Sequence, residues 1–182
     1  MKKNPRIKIL VALFSIAVTI VAAVLCTVSV LAIPNDSVLA IFASNLESVN
    51  AEVWASYQIE GQEKIDLVST NNSNKIVFND KSASAGFVTP KEFSLTSSAK
   101  SITIAYTFAN TGNKEMKVNL TLPEVIENFI VKEANNGNII NNHTIIVGAN
   151  EIQTYEINIT IDNIARDSKF SGTFNFTMTS IF

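Results

Sequence analysis

The stretch ITIAYTFANTGNKEMKVNLTLP, residues 102–123, decides the fold. Ile102, Ile104, Tyr106 and Phe108 fall on one face and Thr103, Ala105 and Thr107 on the other, the period-two pattern of a half-buried strand. Asn110-Thr111-Gly112-Asn113 then turns the chain. Met116, Val118, Leu120 and Leu122 repeat the alternation until Pro123, which has no backbone donor, stops it. The pattern predicts a β-hairpin.

The same alternation recurs on both sides. Val49, Ala51, Val53, Ala55, Tyr57 and Ile59 oppose Asn50, Glu52, Trp54, Ser56 and Gln58, and Gly61 ends the run. Short apolar runs follow at 65–68 and 75–78, then Phe93 and Leu95. Beyond Pro123 a strand is expected at 129–131, a turn at Asn135-Asn136-Gly137-Asn138, and brief strands at 139–140 and 145–147 around a polar turn. Tyr155, Ile157, Ile159 and Ile161 alternate with polar residues, as do Phe170, Phe174, Phe176 and Met178. About seven to nine strands at this spacing predict an all-β domain over residues 49–182, an antiparallel two-sheet sandwich of immunoglobulin-like or jelly-roll-like kind. Residues 34–48 read differently. Val38, Phe42 and Leu46 recur every four residues after Pro34, which predicts a short helix or a linker.

The amino-terminal segment gives an address. Lys2, Lys3, Arg6 and Lys8 precede an uncharged run from Ile9 to Ile33. As a helix that run is about 37 Å long, against about 30 Å of bilayer hydrocarbon. All four early charges are basic and the first later ones, Asp36, Glu47 and Glu52, are acidic, so the amino end is expected inside and residues 34–182 outside. The length favours a retained signal anchor, while Val30 and Ala32 occupy the −3 and −1 positions of a signal-peptidase site. Residues 1–33 are therefore a signal peptide or a signal-anchor helix. Cys26, the single cysteine, follows Leu25 rather than a small residue and reads as a membrane-helix side chain, not a lipid attachment point.

Residues 34–182 carry no thiol, so a hydrophobic core must stabilise them without disulfides. They hold sixteen acidic and ten basic residues, a net charge of −6 with no basic patch, which argues against nucleic acid as a partner. N-x-S/T sequons at Asn35, Asn71, Asn119, Asn142, Asn158 and Asn175 are read as incidental to an Asn- and Thr-rich chain.

No catalytic, cofactor or metal set is expected. His143 is the only histidine and is placed in the turn Asn141-Asn142-His143-Thr144, without H-E-x-x-H or G-x-S-x-G around it. Glu124 with Glu127, and Asp162 with Asp167, are acidic pairs read as solvated loop residues, the second pair being the place where a structural calcium would bind. Trp54 lies opposite the apolar face of its strand. It is read as packing, with an exposed aromatic for sugar or protein contact as the alternative.

Residues 102–112 followed by 116–123 resemble the strand, N-T-G turn, strand, L-P unit of bacterial surface immunoglobulin-like modules. With the basic apolar leader and the cysteine-free sandwich, the chain also resembles exported proteins of the TasA and camelysin kind. That resemblance implies a cell-envelope or extracellular-matrix protein that polymerises by donating a strand to a neighbour. Camelysin's protease activity is not carried over, because the ligand set for it is missing. The sequence therefore predicts an exported, non-enzymatic surface or matrix protein that self-associates, with residues 49–59 or 170–182 as the donated strand. A membrane-anchored monomeric module binding a glycan or protein is the alternative.

Overall fold

The computed structural model describes residues 38–46, 50–79, 82–88, 93–96, 98–122, 129–135, 137, 142–161, 168–170 and 172–181. The expected amino-terminal helix, Cys26, and the acidic pairs Glu124/Glu127 and Asp162/Asp167 lie outside the described residues. Within them the chain is all-β, with no helix. The strands in chain order are β1 (Val38–Asn45), β2 (Ala51–Ile59), β3 (Ile65–Asp66), β4 (Val68–Ser69), β5 (Ile76–Phe78), β6 (Ala83–Val88) and β7 (Phe93–Leu95). They continue as β8 (Ser101–Asn110), β9 (Met116–Thr121), β10 (Phe129–Glu133), β11 (Asn142–Val147), β12 (Ile152–Ile161), β13 (Ser168–Phe170) and β14 (Phe174–Ser180).

Two sheets form. The first runs β11-β9-β14-β1-β6-β4, and the second runs β10-β12-β8-β2-β3 with β5 also pairing β2. A separate two-stranded ladder joins β13 to β7. The sequence joined 170–178 into one strand; instead β13 and β14 belong to different ladders. The inner faces of the two large sheets share one core, in which Phe42 and Phe176 of the first meet Tyr106 and Phe108 of the second, with Phe87 packed edge-on against Phe42. Strand alternation is what fills it: in β12, Tyr155, Ile157, Ile159 and Ile161 are buried while the residues between them are not.

Three expectations are corrected. The stretch 38–45 is neither helix nor linker but strand β1, inserted between β14 and β6. Four-residue spacing of Val38, Phe42 and Leu46 fits a helix, but the set Ala40, Phe42, Ser44, Leu46 fits a strand equally well. An isolated helix of this length is marginal, whereas the slot supplies a backbone ladder on both sides. A register shift between Val38 and Ala40 lets Leu39 and Ala40 both be buried. The sandwich thus includes residues ahead of 49. Nor is it wholly antiparallel, since β1 runs parallel to β14, with Ala40 opposite Phe174 and Phe42 opposite Phe176.

The third correction concerns residues 102–122. β8 and β9 are not a hairpin: β8 pairs β12 and β2 in the second sheet, β9 pairs β11 and β14 in the first. The segment between them arches from sheet to sheet, so that the two apolar faces confront each other instead of lying side by side. Asn110 braces this arch. Its side chain is 1% exposed, donating from Nδ2 to the carbonyls of Lys114 (2.7 Å), Gly148 (3.0 Å) and Val147 (3.2 Å). Its Oδ1 accepts the Gly112 N–H at 3.0 Å. Because Val147 and Gly148 lead from β11 toward β12, one buried amide ties together two crossings between the sheets. Gly61, expected to end its strand, follows β2, and both Gly61 and Gly137 take positive φ, +77° and +69°, where a side chain would be strained.

Replacing Asn110 with Leu leaves buried carbonyls unpaired and is expected to cost about 2–4 kcal/mol. Asn113→Ala, on the exposed side of the same arch, should stay within about 0.5 kcal/mol. Urea unfolding midpoints compare the two.

Candidate functional site: the slot of strand β1

The slot between β6 and β14 is built around one ring. Phe42 stacks on Phe176 of the same sheet at 4.5 Å and 8°, and meets Phe87 (5.8 Å), Tyr106 (5.9 Å) and Phe108 (6.0 Å) edge-on. Such aromatic pairs add to the area they bury. Small neighbours flank it at two-residue spacing, Ala40 and Ser44, both buried, and Leu39 and Leu46 close the ends. Ser44 Oγ donates to the Ala83 carbonyl at 3.3 Å. The outer side of β1 carries half-buried Ile41 and exposed Ala43 and Asn45. β1 precedes every other described strand in the sequence, and it joins the two halves of the first sheet. Without it, β11-β9-β14 and β6-β4 have no ladder between them.

The two segments expected to be donated are placed differently. Residues 51–59 form β2, flanked by β8 on one side and by β3 and β5 on the other. Residues 174–180 form β14, flanked by β9 and β1. Neither has a free edge. The edges of the large sheets belong to β11, β4, β10, β3 and β5, several of them only two or three residues long, which limits unintended pairing.

His143 is not in a turn. It lies on the inner face of β11, opposite Leu120 of β9, and reaches across to the other sheet. Its Nδ1 is 2.9 Å from Glu133 Oε1 on β10, and its ring stacks on Tyr155 of β12 at 4.7 Å and 15°. The Tyr155 hydroxyl donates to the same Glu133 oxygen at 3.2 Å. Burial pushes the Tyr155 phenol well above its ordinary value, and the charge of Glu133 and the hydrogen bond to it add to the effect. The cluster joins an edge of the first sheet to two strands of the second. Chemically it is a clasp: the imidazole and the phenol both point at one carboxylate, and the phenol is held protonated rather than activated. Glu133 and Tyr155 were not singled out from the sequence, because residues 133, 143 and 155 converge only across the gap between the sheets. No group of three or more His, Cys, Asp and Glu able to hold a metal occurs among the described residues.

Trp54 is half-buried on the outer face of β2, opposite Thr107. Ser56, Ala105 and Ala109 on that face are buried despite facing away from the core, and the register sets Trp54 beside all three. Val77 (52% exposed) and Ile152 (68%) lie on the same face, and a Lys75–Glu52 ion pair of 2.8 Å borders it. Packing over short side chains and partial exposure therefore coexist in this one indole.

Fold and slot define the class: a β-sandwich domain whose first described strand is inserted between two others of the same sheet. No protein-family model matches the chain, and no curated protein matches it. Among solved structures the chain is similar to the PapD-like domain 7 of human CEP192, at 11% identity over 44% of this chain and 70% of that one, TM-score 0.25. It is similar to a chain of the CsuC–CsuE chaperone–tip adhesion subunit complex of Acinetobacter baumannii Csu pili, at 8% identity over 74% and 84%, TM-score 0.29. It is also similar to the yeast delta-COP-I mu-homology domain complexed with a Dsl1 peptide, at 7% identity over 79% and 95%, TM-score 0.24.

The two raised tyrosines set a pH prediction. A phenol whose folded value lies above its unfolded value, about 10, contributes its full stability below that pH. Above it the unfolded chain sheds a proton that the folded chain keeps, so stability falls. Tyr155 and buried Tyr106 both act this way. Urea midpoints should drop between about pH 9.5 and about pH 11, and Tyr155→Phe should make the drop shallower.

Proposed function

We propose that this chain is an exported, non-enzymatic surface or matrix protein of immunoglobulin-like type that assembles by exchanging strand β1 between copies. The single observation that carries the reading is the setting of β1. It is the strand nearest the leader, it fills a slot that has a ladder on each side, and it is anchored by one aromatic ring. The same strand from a second copy would find identical partners in an emptied slot, because backbone pairing and the Phe42 socket do not depend on which chain supplies them. Basic residues ahead of the apolar run and the lack of thiols beyond it support export with the amino end inside. Residues 9–33 are the membrane attachment if they are retained.

A second reading has a specific observation of its own. Trp54, Val77 and Ile152 put exposed or half-buried apolar side chains on the outer face of the second sheet, which an anchored monomer could present to a glycan or protein.

Light scattering on the purified full chain in mild detergent distinguishes the two. Exchange predicts oligomers that grow with concentration and time. Phe42→Ala, which removes the anchor at a cost of about 3–5 kcal/mol, should abolish them, and an added peptide copying residues 38–46 should cap them. A chain that stays monomeric throughout, and whose ligand retention is lost on Trp54→Ala, would leave the binding module standing instead.

A further inference from the structure

Tyr106 is fully buried in the core, and among the described residues its hydroxyl is the one buried side-chain polar atom without a hydrogen-bond partner from the protein. Burial pushes its phenol well above the ordinary value, so the group stays neutral. A neutral hydroxyl with no partner still forfeits the bonds that water would give it. Asn110, on the same strand and nearly as buried, is satisfied at every turn of its amide, which makes the orphan on Tyr106 a local feature and not a general looseness of packing.

Its surroundings say when that cost is relieved. β8 belongs to the second sheet and aims Tyr106 across a gap of about 10 Å at the first. There its ring meets Phe42 of β1 at 5.9 Å, and Phe176 and Phe174 of β14 at 4.7 Å and 6.4 Å. The hydroxyl is the far end of that ring, so it lies toward the strands of the first sheet. β14 is paired on its other side to β9; β1 is the strand that exchange would withdraw.

We infer that the Tyr106 hydroxyl is a release device for β1: the closed slot strands it among aromatic rings, and departure of β1 admits water to it. The inference deepens the strand-exchange reading and rests on it. A phenylalanine at 106 would meet the same rings without the penalty. The hydroxyl therefore raises the closed state relative to the open one and lowers the free energy of the opening that exchange requires.

Native-state amide exchange of the full chain tests this, comparing amides of β1 with the slowest amides of β8 and β12. Tyr106→Phe is expected to raise protection of both sets by the same factor, about tenfold, because water reaches the hydroxyl as soon as β1 leaves. Protection rising only for the slowest amides would overturn the inference, since the hydroxyl would then remain buried after β1 had gone. No rise anywhere would overturn it too, since the hydroxyl would be satisfied in solution. Failure of the underlying reading looks different. In the unsubstituted chain, β1 amides would exchange no faster than the slowest ones, so that β1 leaves only when the whole domain unfolds, and both proposals would fall.

Discussion

The first sheet is held together by a strand that does not share a hairpin with either neighbour. β1 pairs β6 and β14 through backbone bonds on both edges and locks its register with Phe42, stacked on Phe176 and walled by Phe87, Tyr106 and Phe108. Everything on the far side of the slot, β6 and β4, reaches the rest of that sheet through it. A domain with no disulfide depends on such packing to close it, and β1 combines backbone pairing on both edges with burial of an aromatic ring. In the proposed assembly the same backbone pairing and Phe42 socket would accept the segment from a second copy.

Polar side chains do the joining between sheets. Asn110 fastens the β8–β9 arch to the chain leaving β11, and Glu133 gathers His143 and Tyr155 across the opposite layers. In both places a buried or half-buried polar group is satisfied by partners from distant parts of the chain. Groups of this kind fix which strands face each other, a choice that apolar side chains alone leave open, since Ile and Phe pack against most neighbours about equally well. Tyr106 is the exception, buried without a partner, and it lies against the one strand that the assembly reading needs to move.

Much of the fold was legible in the sequence. Alternation at residues 51–59, 102–110, 116–121, 152–161 and 174–180 is a direct consequence of the pleat, and each of these became a strand with the expected residues inside. Less could be read of the site. Residues 38–45 satisfied a helical and an extended period at once, and only the slot between β6 and β14 resolved the choice. Two strands separated by Asn-Thr-Gly look the same in sequence whether they lie side by side or arch over, because both arrangements demand an alternating face. His143 appeared to stand in a polar turn, since Glu133 and Tyr155 are remote from it along the chain.

Composition and periodicity by themselves determined the all-β character of the described residues, a core without disulfides and an uncharged apolar run preceded by basic residues, because these depend on local chemistry that each residue carries with it. Which strands share a sheet, where β1 is inserted and which polar groups meet across the layers were decided by tertiary structure alone. The physical reason is that strand pairing uses the backbone, which is common to all residues, so partners are selected only when two layers close on one another and distant side chains must fit.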